Sequence, residues 1–563
     1  MKTKVIVDSS VPVHYTRVEK SIFRALVHFG VNIDVVDLSW SRIAPNELED
    51  THLLILAQEG IGKSLSKEET DVILKSVSQG MGIIVLDGYL NWYPASFLKE
   101  LKILAEKDTK IETLKLTPEN KITDLCEHTI EVKQPLLGFK ISRPEDWSVL
   151  LSDQENNPSV IYKRYGKGKV IFFLVSASLW QNQYLGFGEG LDGVFRKSIA
   201  WASKKPYIMK SMPPFITAKF DDVSFSGSRV MKYKETLENV GWLDIMNRYG
   251  FIPNVALFLN DIQQVDSRRF REKEQNGLAE FSPHAFVDFR YMENQEECPI
   301  YLKHNGQEFT FQELKNNFDR VDAKFGEWGI NLAKTLNVHY QEIGLNSLSF
   351  IKERGQKYTM TPIRLGKVWS DPEAHKWESP PYGKPGFSFG PMPEDDYFFN
   401  VLSVPPRKDV NVPTSDFLYR CTGLHKENAF NDVEKAIKRA VFQIKRGLET
   451  GFFGCFMTHE QRVAQLALEE WETIIKGIYD NIKNIPHIMK SYDTVACYAE
   501  NRSLYEVEQS FYNKNSRELT LRLKGRTEMS QYLNVFTEEG EQDRESFLKI
   551  PEFEQLTEVS FNI

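Results

Sequence analysis

The chain has 563 residues, of which 41% are hydrophobic and 26% charged, a composition typical of a globular protein with two or three domains. Its formal net charge of -8 argues against non-specific nucleic-acid binding and against attraction to anionic membrane surfaces. Residues 1–207 then alternate apolar strand patterns with amphipathic helix patterns, which predicts a doubly wound, parallel α/β sheet of flavodoxin-like type. The strands expected there are Lys4–Asp8, Val31–Val36, Thr51–Ala57, Gly82–Asp87 and Lys169–Val175.

Cysteine usage and the shortness of the apolar runs favour a cytoplasmic location. The five cysteines are widely spaced and form no CxxC motif, as expected of free thiols in a reducing compartment. Residues 1–4 lead directly into an apolar strand, too early for the core of a signal peptide. No apolar run reaches the roughly 20 residues of a membrane span, so we expect no membrane partner. The oligomeric state stays open, and a homo-oligomer is one of the alternatives.

One loop of the first domain partly matches a phosphate-binding P-loop. Residues 57–64 read Ala-Gln-Glu-Gly-Ile-Gly-Lys-Ser and lie between a predicted strand and a predicted helix. Ala57 stands where the motif has its first glycine, and the phosphate cradle needs the backbone freedom of that glycine. ATP binding is therefore the weaker interpretation of this loop.

Residues 1–207 also resemble the class I glutamine-amidotransferase-like modules of carbohydrate-active enzymes. The resemblance lies in the strand order, in Tyr165-Gly-Lys-Gly-Lys-Val-Ile-Phe and in the closing Ala200-Trp-Ala. Those modules carry a cysteine nucleophile at a sharp turn after a strand, but the corresponding turn here, Asp87-Gly88-Tyr89, has no cysteine. The resemblance therefore implies a non-catalytic domain that serves packing, assembly or substrate framing.

The rest of the chain is expected to form two further domains. Residues 208–506 follow a proline-rich linker and repeat a strand-then-helix pattern, which predicts a (β/α) barrel with its chemistry at the carboxyl ends of the strands. Residues 507–563 alternate polar and apolar side chains, which predicts a small antiparallel β domain.

Three of the strands predicted in the central domain end in side chains that can bind metals or move protons. Asp221 and Asp222 follow the apolar run Phe215–Phe220, and His284 and His459 each end a later strand. A lone histidine or a lone acidic pair is most often structural. Because the carboxyl ends of barrel strands meet at one face, the three together predict a functional site.

These strand ends resemble the motifs of the polysaccharide deacetylase superfamily (NodB-like, carbohydrate esterase family 4). The Asp pair resembles the first motif, and His284 matches the first histidine of a closing His-(Ser/Thr)-x-x-His, with Asp288 where the second histidine belongs. The strand that ends at His459 resembles the last motif. The chain departs from the family at Val223, which replaces a glycine, and has no clear Arg-x-Pro-Tyr motif.

The resemblance implies a role for each of these residues. Asp222, His284 and Asp288 would hold a divalent metal ion, either zinc or a harder ion such as manganese, magnesium or calcium. Asp221 would be the general base, and His459 the general acid that protonates the leaving group.

Four further residues are predicted to contact substrate. His339 and Glu342 are three residues apart and would share one face of a helix, although an exposed helical pair without function is the plain alternative. Arg364 could supply the charge of the missing arginine motif, and Trp369 lies in a region rich in Gly, Pro and Trp that is expected to cover a site.

Three functions follow from these residues. The leading one is a metal-dependent hydrolase that removes an acyl (acetyl) group from an amino sugar or an acylated saccharide. The second is a glycoside hydrolase that uses a carboxylate pair, Asp221 with Glu342 or Asp288. The third is a non-catalytic carbohydrate-binding protein. All three take a saccharide, and none involves nucleic acid.

Overall fold

The computed structural model of the chain divides into two compact units. Unit 1 comprises residues 1–212, 449–451 and 501–563, and unit 2 comprises residues 213–448 and 452–500. The C-terminal strands therefore belong to the same unit as the N-terminal sheet. The structure describes residues 1–118, 120–125, 128–142, 146–181, 183–185, 191–224, 240–260, 262, 267–287, 299–360, 365–376, 416–418, 421, 431–539 and 542–563.

The N-terminal part of unit 1 is built on a nine-stranded sheet with the order β2-β1-β3-β4-β9-β8-β7-β5-β6. Its strands are β1 (Lys2–Val7), β2 (Ile33–Asp37), β3 (Thr51–Leu56), β4 (Gly82–Val85), β5 (Leu104–Leu116), β6 (Thr129–Ser142), β7 (Ser148–Ser152), β8 (Pro158–Tyr165) and β9 (Gly168–Phe173). The helices are α1 (Pro12–Val18), α2 (Arg24–His28), α3 (Lys67–Ser78), α4 (Ala95–Leu101) and α5 (Leu191–Ala202).

Only half of this sheet has the predicted parallel form. The strands β2, β1, β3, β4 and β9 pair in parallel, as the alternating strand and helix patterns indicate. The strands β8, β7, β5 and β6 extend the sheet in antiparallel fashion. The sequence patterns did not predict this extension. β6 mixes buried and exposed positions instead of forming the continuous apolar run expected of a parallel strand.

Unit 2 contains a parallel sheet in the order β13-β12-β11-β16, with β17 beside β11, and a separate parallel pair of β14 and β15. The predicted barrel is not confirmed, because the described strands form an open sheet and a separate pair. The strands are β11 (Phe215–Val223), β12 (Pro253–Phe258), β13 (Glu280–Ala285), β14 (Thr335–Leu336), β15 (Tyr358–Thr359), β16 (Gly454–His459) and β17 (Ile488–Met489).

The helices of unit 2 cover its sheet. They are α6 (Gly241–Arg248), α7 (Ser267–Gln275), α8 (Phe311–Trp328), α9 (Leu345–Glu353), α10 (Val433–Glu449), α11 (Glu460–Val463), α12 (Leu468–Ile482) and α13 (Tyr492–Ser503), the last of which ends in unit 1. Across the described parts of the chain, no helix is both long enough and apolar enough to span a bilayer.

Packing against β11 fixes the strand that carries the acidic pair. All nine residues of β11 are buried. The ring of Phe220 stacks on Trp242 with centroids 3.9 Å apart and meets the edge of Trp471. Burial of a phenylalanine side chain contributes about 1.5–3 kcal/mol, so these contacts hold the end of β11 in a defined position.

The C-terminal residues form antiparallel strands, as their alternating pattern predicts. One sheet has the order β18-β19-β22. A second sheet has the order β10-β20-β21, in which the short strand β10 (Tyr207–Met209) pairs with two C-terminal strands. The strands are β18 (Tyr505–Asn513), β19 (Glu518–Thr527), β20 (Gln531–Glu539), β21 (Gln542–Ile550) and β22 (Phe553–Asn562).

Candidate metal-binding and catalytic site

A local break in β11 brings both carboxylates of the acidic pair into one site. In a regular strand, successive side chains point to opposite faces. Asp222 has a φ of +59°, in the left-handed region, and the pairing of β11 with β12 shifts register between Phe220 and Val223. Aspartate tolerates this conformation better than most residues. Asp221 and Asp222 are only 4% and 5% exposed.

Asp222 is the centre of a cluster of metal-ligand side chains. Its Oδ1 lies 3.2 Å from Nε2 of His284 and 3.9 Å from Nε2 of His339. One ligand atom from each of the three residues lies within 4.8 Å of the others. Burial opposes ionisation of Asp222, but His284, with the charges of His459 and His339, holds its pKa well below the usual range. The carboxylate is therefore negatively charged.

The hydrogen bonding of His284 determines what its second nitrogen can do. Nδ1 of His284 lies 2.7 Å from the main-chain oxygen of Asn337. A carbonyl oxygen only accepts, so Nδ1 carries a proton, and in the neutral ring Nε2 then presents a bare lone pair. That lone pair faces Oδ1 of Asp222, which is also an acceptor. The contact requires a positive charge, either a proton on Nε2 or a cation between the two atoms.

Asp221 is held by two donors that lie next to the cluster. Its Oδ2 forms an ion pair of 2.9 Å with Nζ of the buried Lys219, and its Oδ1 accepts a hydrogen bond of 2.5 Å from Nδ2 of Asn337. Asn337 therefore contacts both Asp221 and His284. Its main-chain N–H in turn donates to Oγ of Ser282, at 2.7 Å.

A histidine–aspartate pair lies beside the acidic pair. His459 is the register partner of Asp221 across β16 and β11. Its Nδ1 lies 2.5 Å from Oδ2 of Asp416, and this oxygen also accepts from Nε of Arg462. Oδ1 of Asp416 accepts from the hydroxyl of Thr458 at 2.9 Å. Because the carboxylate of Asp416 accepts this hydrogen bond, Nδ1 of His459 carries a proton. Nε2 is therefore the nitrogen of His459 that can gain or lose a proton.

Charge sets the protonation of this pair. Burial alone would raise the pKa of Asp416, but Arg462 and His459 lower it to about 2. Burial would likewise lower the pKa of His459, but the hydrogen bond and charge of Asp416, together with Asp222 and Asp221, raise it above its ordinary value. His459 therefore keeps a second proton to higher pH than a free histidine.

The short helix α11 supplies a hydrogen bond to Asp222. Nε2 of Gln461 donates to Oδ2 of Asp222 at 3.1 Å. The fully buried Glu460 accepts from the main-chain N–H and the hydroxyl of Ser224, at 2.9 and 2.8 Å. α11 ends at Val463, and the longer helix α12 begins separately at Leu468.

The pair His339 and Glu342 does not lie on a helix face, contrary to the prediction. Residues 339–341 form a 3₁₀ turn in which Tyr340 and Gln341 both have positive φ angles, so helical spacing does not apply. His339 lies in the cluster with Asp222 and His284. The third ligand that the resemblance implies is Asp288. Asp288 lies outside the described residues.

Glu342 and Trp369, both predicted to contact substrate, are in contact with each other. Oε1 of Glu342 accepts a hydrogen bond of 2.7 Å from the main-chain N–H of Trp369. Burial raises the pKa of Glu342 to about 7, against the main-chain hydrogen bond from Trp369. The indole of Trp369 is 38% exposed. Arg364 lies outside the described residues.

Several residues of the site were not singled out in the sequence, among them four that contact Asp221, Asp222, His284 or His459: Lys219, Asn337, Asp416 and Gln461. A signal existed for two of them. Lys219 is a charged residue inside an apolar strand, and Asn337 is a polar residue between Leu336 and Val338. Both are buried. No local pattern distinguishes Asp416 or Gln461, whose roles depend on contacts between segments that are distant in the sequence.

No family model and no curated protein matches the chain. Among solved structures, a cytoplasmic protein from Salmonella typhimurium is 12% identical over 36% of this chain and 100% of its own, with a TM-score of 0.28. A ThuA-like protein from Bacteroides uniformis is 14% identical over 36% and 89%, with a TM-score of 0.28. An exo-β-1,4-mannosidase from an Opitutaceae bacterium is 12% identical over 36% of each chain, with a TM-score of 0.26. With TM-scores this low, these are distant likenesses that assign no activity to this chain.

Proposed function

We propose that the chain is a metal-dependent hydrolase that removes an acyl group from a saccharide, most simply an acetyl group from an amino sugar. The observation that carries this proposal is the convergence of Asp222, His284 and His339 beside a candidate base and a candidate acid. The three comparisons contribute nothing to it.

The donor set of Asp222, His284 and His339 fits a divalent metal ion. One carboxylate and two imidazoles are a ligand set that zinc and other divalent transition metals accept. The contact between Nε2 of His284 and Oδ1 of Asp222 needs a positive charge, and a proton would serve only that pair. A cation would serve the third donor, Nε2 of His339, as well. The hydrogen bond from Nδ1 of His284 to a main-chain carbonyl is the usual support of a ligating histidine.

The chemistry divides between two residues of this chain. A divalent ion in the cluster would polarise the substrate carbonyl and make a water molecule easier to deprotonate. Asp221 accepts the proton of the attacking water, with its carboxylate oriented by Lys219 and Asn337. His459 donates a proton from Nε2 to the leaving amine or alcohol while Asp416 holds Nδ1. As the C–N or C–O bond breaks, the leaving group departs neutral.

The saccharide as substrate rests on the sequence resemblance and on Trp369. Ligand sites combine apolar aromatic walls with a few oriented polar groups. Trp369 is partly exposed, and its main-chain N–H donates to Glu342, which supports a role as such a wall. The proposal gives Trp369 the role of contacting the ring of the sugar.

A metal analysis combined with an activity assay tests the proposal. The protein is purified without added metal, its metal content is measured by mass spectrometry, and acetate release from acetylated chito-oligosaccharides is followed. We expect stoichiometric metal, loss of activity with EDTA, and recovery on adding back a divalent ion. His284→Ala should lose the metal, whereas His487→Ala, in the same unit but outside the cluster, should keep it. Wild-type protein that neither carries nor takes up a divalent ion would refute the proposal.

A glycoside hydrolase is the second candidate, and the burial of Glu342, which raises its pKa, favours it. A buried glutamic acid with a pKa of about 7 can act as the general acid of glycosidic bond cleavage. This candidate predicts release of free sugar that EDTA does not affect and that Glu342→Gln abolishes. If the protein is a non-catalytic carbohydrate-binding protein, it binds the oligosaccharide without releasing acetate or sugar.

A further inference from the structure

The carboxylate of Asp222 has two oxygens with different surroundings. Oδ1 faces Nε2 of both His284 and His339, whereas Oδ2 accepts a hydrogen bond of 3.1 Å from Nε2 of Gln461. Because a carboxylate oxygen only accepts, the amide of Gln461 must present its NH₂ group and not its oxygen. The contact therefore has a defined direction.

Gln461 is itself held in place by its neighbours in the sequence. It lies in α11, which starts immediately after His459, so it is anchored by the end of β16. Glu460, the preceding residue, is completely buried and receives two hydrogen bonds from Ser224. Ser224 follows Asp222 by two residues. Glu460 therefore holds the main chain that follows Asp222, and Gln461 holds the side chain of Asp222.

We infer that Gln461 is a positioning residue that presets Asp222 as a ligand through Oδ1 alone. This inference rests on the proposed metal site and extends it to a residue outside the cluster. With Oδ2 engaged by Gln461, three protein donor atoms remain: Oδ1 of Asp222 and one nitrogen from each histidine. Catalytic metal sites commonly use three protein ligands, which leaves a position for substrate or water.

Removing Gln461 should weaken metal binding because a carboxylate without that hydrogen bond can adopt more orientations. Without a partner on Oδ2, the side chain of Asp222 can rotate about χ2 and turn either oxygen, or both, toward the histidines. Partners that orient a metal ligand typically change metal affinity by about 10–100-fold when they are removed. Gln461 should therefore affect metal binding although it contributes no ligand atom.

Metal titration of the full-length protein tests this inference directly. The experiment compares wild type with two variants, Gln461→Met and Gln461→Asn. Each protein is stripped of metal with chelator and then titrated with Zn²⁺, and separately with Mn²⁺, by competition calorimetry. Methionine keeps the length of the side chain but removes the donor, and asparagine keeps the amide but withdraws it by one methylene. Gln275→Met, at the exposed end of α7, is the matched control. Circular dichroism and melting of the metal-free proteins report folding.

The expected result is a Kd about 10–100-fold higher for both Gln461 variants than for wild type and the Gln275 control. Folded variants with an unchanged Kd would overturn the role of Gln461 and leave the proposed function intact. Wild-type protein that binds neither ion would instead overturn the proposed function itself. A purely structural role for Gln461 predicts lower melting temperatures without any change in Kd, and this outcome also counts against the inference.

Discussion

Nε2 of His339 lies 3.9 Å from Oδ1 of Asp222, although the two residues come from distant parts of the sequence. The imidazole and the carboxylate meet because Asp222 lies near the end of β11 and His339 follows β14 in the same unit. His284 completes the group from the end of β13. His339, which the sequence predicts as a substrate contact, thus lies in the cluster, and the predicted ligand Asp288 lies outside the described residues.

The third ligand of the proposed metal site can be identified by mutation. His339→Ala should weaken metal binding by more than about 100-fold, because it removes a donor atom and not merely a supporting hydrogen bond. Asp288→Ala, which tests the ligand expected from the sequence, should have a much smaller effect. Both are measured as Kd for Zn²⁺ in chelator-stripped protein. A larger effect of Asp288→Ala than of His339→Ala would instead support Asp288 as the third ligand.

The second prediction concerns the pair formed by His459 and Asp416. Asp416 raises the pKa of His459, so removing its charge should lower that pKa. A general acid works only while protonated, so Asp416→Asn should move the alkaline limb of the pH profile of kcat to lower pH. General acid catalysis contributes about 10²–10⁴-fold, so His459→Gln should lower kcat by at least about 100-fold.

The double variant provides the control for this pair. In the His459→Gln background, Asp416→Asn should cause no further shift of the alkaline limb, because the titrating group is already absent. A shift of equal size in both backgrounds would mean that the limb reports a different group. Activity is measured as initial rates of acetate release across the pH range at saturating substrate.

The third prediction concerns Glu342 and the pH dependence of stability. Its folded-state pKa of about 7 lies above the ordinary value of 4.5. Burial of the neutral acid therefore contributes stability that is fully present below about pH 4.5 and is lost as pH rises through 7. The loss amounts to at most about 3 kcal/mol in the free energy of unfolding.

Glu342→Gln should remove this dependence. The amide stays neutral and can still accept a hydrogen bond from the main-chain N–H of Trp369. The unfolding free energy of the variant should therefore rise relative to that of wild type as pH increases from 4.5 to 7. Nδ1 of the neighbouring His304 lies 4.0 Å from Oε2 of Glu342, and burial lowers the pKa of this histidine. The exposed Glu353→Gln is the control. Parallel curves for wild type and Glu342→Gln, measured by urea unfolding, would contradict the prediction.

The fourth prediction concerns the left-handed backbone at Asp222. A non-glycine residue in this region is strained by about 1–2 kcal/mol, less for aspartate and asparagine. Asp222→Asn should therefore retain about 1 kcal/mol more unfolding free energy than Asp222→Ala, although both variants remove a carboxylate of the proposed metal site. The measurement is made in EDTA so that bound metal does not contribute. Equal stabilities would show that the turn at Asp222 relaxes in the variants.

The sequence by itself indicated the mixed α/β class, because continuous apolar strands between amphipathic helices are determined by local periodicity. It also located Asp221, Asp222, His284 and His459, because each stands at the end of an apolar run. Periodicity did not predict the antiparallel half of the large sheet, and it gave a barrel that the described strands do not confirm. Strand pairing depends on contacts across the sheet and not on local pattern.

Only the tertiary structure decided which side chains meet. His339 joined the cluster because its segment turns through positive φ angles after β14, and Asp416, Asn337 and Gln461 reached the site from segments without a local signal. Hydrogen bonds and ion pairs form between atoms within a few ångströms, whatever their separation in the chain. The sequence thus determined where ligand-type residues end their strands, and folding determined which of them share one site.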